Sequence, residues 1–244
     1  MIASNPTSDP FIRFGSAHFA VIATAFMLPL LLAAVVRRTR NSMLARAIAL
    51  ALAAGLIATW ALWYWLILSQ GWLSASTILP MNLCDWAAIA TLATLLRPNQ
   101  RSYELAWFWS LSGTLQALLT PNLAYGFPDP RFIVFFGFHG GVIAAALYMT
   151  LGLGMRPWPG SLPRVALWSF AYFLAAVATN ALFHTNFGYL RFKPAASSLL
   201  DYLGPWPLYI FALFGLGLLY ILLLYLPFLL SDLARTLRRR PGRN

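Results

Sequence analysis

The segment 79–86 (LPMNLCDW) places the only cysteine of the chain, Cys84, beside the carboxylate of Asp85 within an apolar run. A charged group inside a bilayer is costly unless it is paired, hydrated or neutralised, so an ionisable residue there marks a functional site by default. The thiolate is the nucleophilic form of cysteine, and an apolar setting disfavours it unless a base removes the proton. These residue types predict nucleophilic chemistry at Cys84, with the ordinary packing of a buried cysteine as the alternative.

His139 is the candidate base for this thiol. Histidine accepts a proton near neutral pH, and a carboxylate or amide can hold its tautomer. From the helical rise, Cys84 lies roughly 9 Å and His139 roughly 12 Å below the same boundary of their predicted helices. The depths predict a nucleophile and base that meet, with Asp85 or Asn180 orienting the imidazole. Cys84 and Asp85 face directions about 100° apart, so the histidine must lie between them to contact both.

Further polar side chains map to the same half of the membrane as Cys84. Polar groups that converge from several helices indicate a water-accessible cavity that opens outward. The alternative is structural, because asparagine and glutamine also cap helices and bond between them. The predicted substrate-binding residues are His18, Asn82, Gln116, Asn180, His184 and Asn186.

Composition sets the class of protein. Of 244 residues, 60% are hydrophobic and only 9% are charged, and apolar runs of about 20 residues recur along the chain. This pattern predicts an all-α polytopic membrane protein and excludes a water-soluble domain. The net charge of +11 does not indicate nucleic-acid binding, because the basic residues lie in short segments between apolar runs.

Seven transmembrane helices are predicted, at about 17–36, 46–69, 78–96, 103–120, 132–152, 165–186 and 207–230. The domain organisation follows as an outer N-terminal segment (1–16), a seven-helix transmembrane domain (17–230) and a basic cytoplasmic tail (231–244). Pro80 is expected to distort the start of the third helix. Gly137, Gly141 and Ala145 recur every four residues, which allows a second helix to approach closely.

The lysine and arginine residues predict the orientation. Thirteen of them fall on one side of the predicted helices and four on the other. The positive-inside rule then places the N-terminus outside and the C-terminus inside, which requires an odd number of crossings. On the outer side the long connection 185–206 is expected to form a short helix over 195–203, which would act as a lid on the cavity.

Four strings carry a family resemblance: LPMNLCD (79–85), WSLSGTLQALLTP (109–121), FHGG (138–141) and NFGYLRFKP (186–194). Over about residues 18–206 the chain resembles the YwaF-type bacterial integral membrane family. That family is similar to a eukaryotic group of transmembrane acyltransferases that act on ether phospholipids, in which a cysteine in a comparable helix is proposed as the acyl carrier. The resemblance implies Cys84 for this role and a histidine, His139, as its partner.

These observations together predict a lipid acyltransferase or transacylase of the plasma membrane that uses a cysteine–histidine pair, needs no metal or other cofactor, and has membrane lipids as partners. One alternative is a transporter or channel for a solute or proton, with Asp85, Asp201 and the histidines along its path. Another is a metal-dependent membrane hydrolase that uses histidines with Asp85. A retinal photoreceptor is excluded, because the only lysine, Lys193, lies in a predicted loop.

Overall fold

The computed structural model describes residues 9–238, which form helices and connecting loops without a β-strand. The α-helices in this range are α1 (Ser16–Thr39), α2 (Ser42–Ser69), α3 (Ala75–Ile78), α4 (Leu83–Leu96), α5 (Gln100–Trp109), α6 (Leu115–Leu119), α7 (Pro130–Leu151), α8 (Ser161–Phe183) and α9 (Leu208–Arg238). A π-helical turn, Ser110–Thr114, joins α5 to α6. Residues 1–8 of the predicted outer segment and 239–244 of the predicted tail lie outside the described residues.

Six helical segments are long and apolar enough to cross a membrane: Ser16–Thr39, Ser42–Ser69, Ala75–Leu96, Pro130–Leu151, Ser161–Phe183 and Leu208–Leu237. Large apolar side chains on their surfaces are exposed, among them Leu31, Leu182 and Phe211. Such a surface is unfavourable in water and suits contact with lipid acyl chains. The protein is therefore an all-α, multi-pass membrane protein, as the composition predicts.

The predicted fourth span is not one of these six segments, because it is more polar and its helix contains the π-helical turn. It nevertheless runs the depth of the bundle. At one end the Tyr103 hydroxyl of α5 bonds the Thr150 hydroxyl at 2.8 Å, near the end of α7. At the other end the carbonyl of Leu118 in α6 lies 2.8 Å from Nε2 of His18, near the start of α1. Within residues 9–238 the helices thus pass between the two ends of the bundle seven times, six times through the long apolar segments and once through α5 and α6, and seven agrees with the predicted odd number.

Helix α7 is the central element. In the most apolar 18-residue stretch of α7, 72% of the residues are buried, whereas 11–33% are buried in the corresponding stretches of the other five membrane-spanning segments. A Cβ atom on Gly137 would lie 2.7 Å from Thr59, and one on Gly141 would lie 2.9 Å from Leu56. Thr59 and Leu56 both lie on α2. The predicted close approach at these glycines is confirmed, and α2 is the helix that makes it.

The predicted distortion at Pro80 is a complete break, because α3 ends at Ile78 and α4 begins at Leu83. A break leaves carbonyl groups without helical partners, and these must be satisfied inside a membrane. Trp63 Nε1 donates to the carbonyl of Thr77 at 3.3 Å, and the Tyr64 hydroxyl donates to that of Ile78 at 2.8 Å. Helix α2 therefore supports the break from one side.

The long connection after α8 contains two 3₁₀ turns, Phe187–Tyr189 and Leu199–Leu203. The predicted helix over 195–203 is wrong in its start: the helical turn begins after Ser198, whose backbone N–H donates to the Asp201 carboxylate at 2.8 Å. Serine and aspartate at this spacing favour a helix start, and they override the proline at 194. Arg13 donates to the carbonyl of Ser197 at 2.8 Å, which ties this connection to the N-terminal segment.

Candidate active site at the helix break

Cys84 lies in the first turn of α4, directly after the break. Asn82 precedes the helix in an extended conformation, and its backbone N–H donates to Oδ2 of Asp85 at 2.8 Å. Asparagine before the first turn and aspartate within it are both favoured, because they complement the free N–H groups and the positive end of the helix dipole. Asn82 and Asp85 therefore start the helix that carries the thiol, and one oxygen of the predicted orienting carboxylate is used for that purpose.

The first turn also presents backbone donors beside the thiol. The N–H groups of Asp85 and Trp86 bond back to the carbonyl of Asn82 at 3.0 and 3.3 Å. The N–H groups of Leu83 and Cys84 belong to the set at the start of a helix that has no intrahelical acceptor. Such donors, together with the helix dipole, favour an anion at this position.

His139 is buried in α7 between aromatic rings. Its Nδ1 lies 2.7 Å from the carbonyl of Phe135, and the ring centroids of Phe135 and Phe138 lie 4.2 and 5.2 Å from its own. Because a carbonyl only accepts, Nδ1 carries the proton of the neutral ring and Nε2 is left as an acceptor. The structure, which describes residues 9–238, shows no hydrogen bond between His139 and Cys84.

Helix register sets the relative depth of the imidazole and the thiol. Tyr103 of α5 bonds Thr150 of α7, and a Cβ atom on Gly113 would lie 2.8 Å from the side chain of Leu83, the residue before the cysteine. Gly113 is ten residues beyond Tyr103, and His139 is eleven before Thr150 in the antiparallel helix. At about 1.5 Å per residue, Gly113 and His139 therefore differ little in depth. Because Gly113 contacts Leu83, it marks the depth of the neighbouring Cys84. By this count the predicted pair lies at a common depth on α4 and α7, which pack against each other.

Two of the predicted substrate-binding residues join helices. His18 uses both ring nitrogens: Nδ1 accepts from the N–H of Phe14 at 2.9 Å, and Nε2 donates to the carbonyl of Leu118 at 2.8 Å. Gln116 donates to the hydroxyl of Tyr220 in α9 at 2.8 Å. These bonds correspond to the structural alternative that the sequence left open.

Asn180 and Asn186 shape the connection that follows α8. Asn180 donates to the carbonyl of Phe187 at 3.0 Å and accepts from the N–H of the same residue at 2.7 Å. Asn186 accepts from the N–H of Arg191 at 2.9 Å. His184 ends α8 in a left-handed conformation, with φ of 55°. A pocket of about 280 Å³ lies here, lined by Val177, Asn180, Ala181, His184, Leu190 and Arg191.

Tyr172 is a candidate that the sequence analysis missed. It lies on α8, is buried, and packs edge-on against Trp86 with ring centroids 5.4 Å apart. Its hydroxyl interacts electrostatically with Cys84 and Asp85 and approaches the Leu83 backbone without reaching hydrogen-bond geometry. The sequence held one signal: Tyr172 shares a helix face with Asn180, eight residues on, within an otherwise apolar span.

Tyr189, in the connection after α8, interacts electrostatically with the thiol. Burial raises the pKa of the Tyr189 phenol, a hydrogen bond with Asn122 lowers it, and the negative charge of the Cys84 thiolate raises it. The hydroxyl of Tyr209 donates to the carbonyl of Tyr189, which anchors this turn to α9. Cys84 thus interacts electrostatically with two tyrosines, one from α8 and one from the loop that Asn180 and Asn186 hold.

In the part of the chain that the structure describes, no three histidine, cysteine, aspartate or glutamate side chains lie close enough together to hold a metal ion.

Comparison with known proteins places the chain in a family. The sequence pattern of the TMEM164 family matches residues 13–225, which include the helix break, α7 and the connection after α8. No curated protein and no solved structure matches the chain. The YwaF-type name and a bacterial origin stay predictions. Because the match covers most of the sequence, the protein belongs to the TMEM164 family.

Proposed function

We propose that this protein is a membrane lipid acyltransferase or transacylase in which Cys84 carries the acyl group. The observation that carries the proposal is the position of the thiol, in the first turn of α4 directly after the break. A helix N-terminus favours the thiolate, which is the nucleophilic form. The Asp85 carboxylate opposes a second negative charge, so a base is needed to form the thiolate at the moment of reaction.

The reaction has two halves. In the first, the sulfur of Cys84 attacks the carbonyl carbon of a donor ester, a C–S bond forms, and the C–O bond to the donor alcohol breaks. The leaving alcohol takes the proton that the thiol gave up. In the second, the hydroxyl of an acceptor lysolipid attacks the thioester, a C–O bond forms and the C–S bond breaks. The acceptor's proton returns to the thiolate, so the cycle needs no other reactant.

His139 is the proposed carrier of this proton. Its Nδ1 is held by the carbonyl of Phe135, which leaves Nε2 as the acceptor atom. Its depth matches that of the thiol by helix register. Proton transfer from Cys84 therefore requires the two side chains to come within hydrogen-bond reach when the substrate binds, as is common for catalytic pairs.

An apolar cluster beside Cys84 suits an acyl chain. The buried residues Tyr172, Ala176 and Phe187 pack with partly buried side chains from the break and the outer connection, among them Leu79, Met81, Leu83 and Leu190. The surrounding helices expose apolar surface to the bilayer. Membrane lipids are thus the surroundings of the protein and its proposed substrates. With the orientation and the plasma-membrane location predicted from the sequence, the proposed reaction takes place in the outer half of that membrane.

The experiment is to capture the acyl-enzyme. The purified protein is reconstituted with an ester phospholipid donor, quenched in acid and analysed by intact-protein mass spectrometry, followed by mapping of the adduct. We expect an acyl adduct on Cys84 that is released by hydroxylamine and transferred to an added lysophospholipid. Cys84→Ala is the negative control. Acyl transfer that persists in Cys84→Ala would overturn the proposal, and its loss on chelation would favour the metal-hydrolase alternative.

A further inference from the structure

The hydroxyl of Tyr172 is buried and has no hydrogen-bond partner within residues 9–238. A buried hydroxyl that is left unpaired is unfavourable, and native structures nearly always satisfy such groups. An exception therefore requires an explanation, and one explanation is a partner that is present only during the reaction.

The surroundings of Tyr172 fix the position of its oxygen. Trp86 packs against its ring, and Gly188 lies beside its oxygen. Gly188 has φ of +65°, and a Cβ atom there would lie 3.0 Å from the Tyr172 oxygen. A glycine therefore provides both the turn and the space that the hydroxyl occupies, at the start of α4.

We propose that the Tyr172 hydroxyl and the N–H groups of Leu83 and Cys84, which have no acceptor within the helix, bind the carbonyl oxygen of the acyl group while it is bonded to Cys84. The inference rests on the proposed acyl transfer and adds its substrate class, a carboxylic ester or thioester whose carbonyl oxygen becomes negatively charged. Two independent features point to this site, namely the N-terminus of a 14-residue helix and the unpartnered phenol beside it.

The chemistry of the step requires such donors. When the sulfur of Cys84 attacks, the C–S bond forms and the electron pair of the carbonyl π bond moves to oxygen. The tetrahedral intermediate then re-forms the carbonyl as the C–O bond to the leaving alcohol breaks. Tyr172 keeps its proton throughout and donates a hydrogen bond to the oxyanion. Donors that are already in place before the reaction stabilise this charge without a cost of reorganisation.

Tyr172→Phe tests the inference, because it removes the hydroxyl and keeps the ring against Trp86. Two reactions of Cys84 are compared in the reconstituted protein: acylation by an ester phospholipid and alkylation by a chloroacetamide. Alkylation displaces chloride from carbon and forms no oxyanion. We expect acylation to slow by roughly 10²- to 10³-fold, the usual effect of removing one oxyanion donor, while alkylation is unchanged.

Tyr225→Phe is the matched control, since the Tyr225 hydroxyl on α9 is also buried without a partner among the described residues. We expect it to acylate Cys84 at the wild-type rate. Equal acylation by Tyr172→Phe and wild type would overturn the inference, and so would an equal loss of acylation and alkylation, which would indicate packing alone. A failure of the proposed function gives a different result from a failure of this inference, because the wild-type protein would then form no acyl adduct at all.

Discussion

The Tyr64 hydroxyl of α2 donates a hydrogen bond to the carbonyl of Ile78, the last residue of α3, at 2.8 Å. This bond satisfies one of the carbonyl groups that the break leaves free. It connects a neighbouring helix to the segment that leads to Cys84, so the position of the thiol depends on a residue 20 positions earlier in the sequence.

Tyr64→Phe should therefore loosen the helix break. We expect the free energy of unfolding to fall by about 1 kcal/mol, the typical contribution of one hydrogen bond, and acylation of Cys84 to slow. Thermal unfolding in detergent and the acylation rate measure the two effects. Tyr202→Phe is the control because Tyr202 is highly exposed. If Tyr64→Phe matched this control in both measurements, α2 would not support the break.

Arg164→Gln should destabilise the opposite end of the bundle. The Arg164 guanidinium donates to both oxygens of Glu104, at 2.7 and 2.9 Å, and the glutamate side chain is only 1% exposed. Without the guanidinium, the Glu104 carboxylate loses its charged partner and keeps only the hydrogen bond from Gln100 at 3.0 Å and a contact with Ser161. We expect a lower melting temperature, recovered in part when Glu104→Gln is added. Arg101→Gln, at an exposed position, should leave the melting temperature unchanged.

Gly188→Ala separates backbone strain from crowding of the site. Its φ of +65° disfavours alanine, and the new Cβ would lie 3.0 Å from the Tyr172 oxygen. Gly154→Ala is matched for strain, with φ of +72° and no atom within 4 Å of the added carbon. Both variants should lose about 1–2 kcal/mol of stability. We expect Gly188→Ala alone to slow the acylation of Cys84, and equal rates in the two variants would argue against a site at Tyr172.

The orientation can be tested with single reporter residues. The split of basic residues predicts that Gly71 and Gly126 lie outside, while Asn99 and Trp158 lie inside. Because Gly126 is buried, the exposed neighbour Phe127 reports for its loop; cysteines introduced at Gly71, Phe127, Asn99 and Trp158 in a Cys84→Ala background should react with an impermeant maleimide in intact cells only at Gly71 and Phe127. Labelling at position 99 without permeabilisation, or protection at position 127, would contradict the predicted topology.

The sequence predicts the helices well because the bilayer imposes long apolar segments, and the break at Pro80 follows from the missing N–H of proline. The close approach at Gly137 and Gly141 is likewise local in origin. The same signals do not reveal which polar side chains are already paired. The sequence predicts Gln116 and Asn180 in the outer half of the membrane whether their amides are free to bind substrate or already paired. Only the packing of α8 and α9 shows that Gln116 bonds Tyr220 and that Asn180 bonds Phe187.

Tyr172 illustrates the other limit of the sequence. Its role depends on Leu83, 89 residues earlier, and on Gly188, 16 residues later, and these meet its hydroxyl only because α8 packs near the helix break and the chain after α8 turns back. The π-helical turn at Ser110–Thr114 is similar, since no residue in it forbids a regular α-helix. Both features arise from contacts between helices, which periodicity and hydropathy do not report.

The most direct test of the account is the rate at which an ester phospholipid acylates Cys84 in wild-type protein and in His139→Gln. Glutamine approximates the size of the imidazole ring and cannot act as the base. The substitution therefore leaves no large cavity that could change the acylation rate by itself. We expect acylation to rise with pH in the wild type as the thiolate forms, and to slow by roughly 10²- to 10⁴-fold in His139→Gln. A Cys84 that forms no adduct in the folded wild-type protein, or an equal rate in His139→Gln, would contradict acyl transfer through the cysteine–histidine pair.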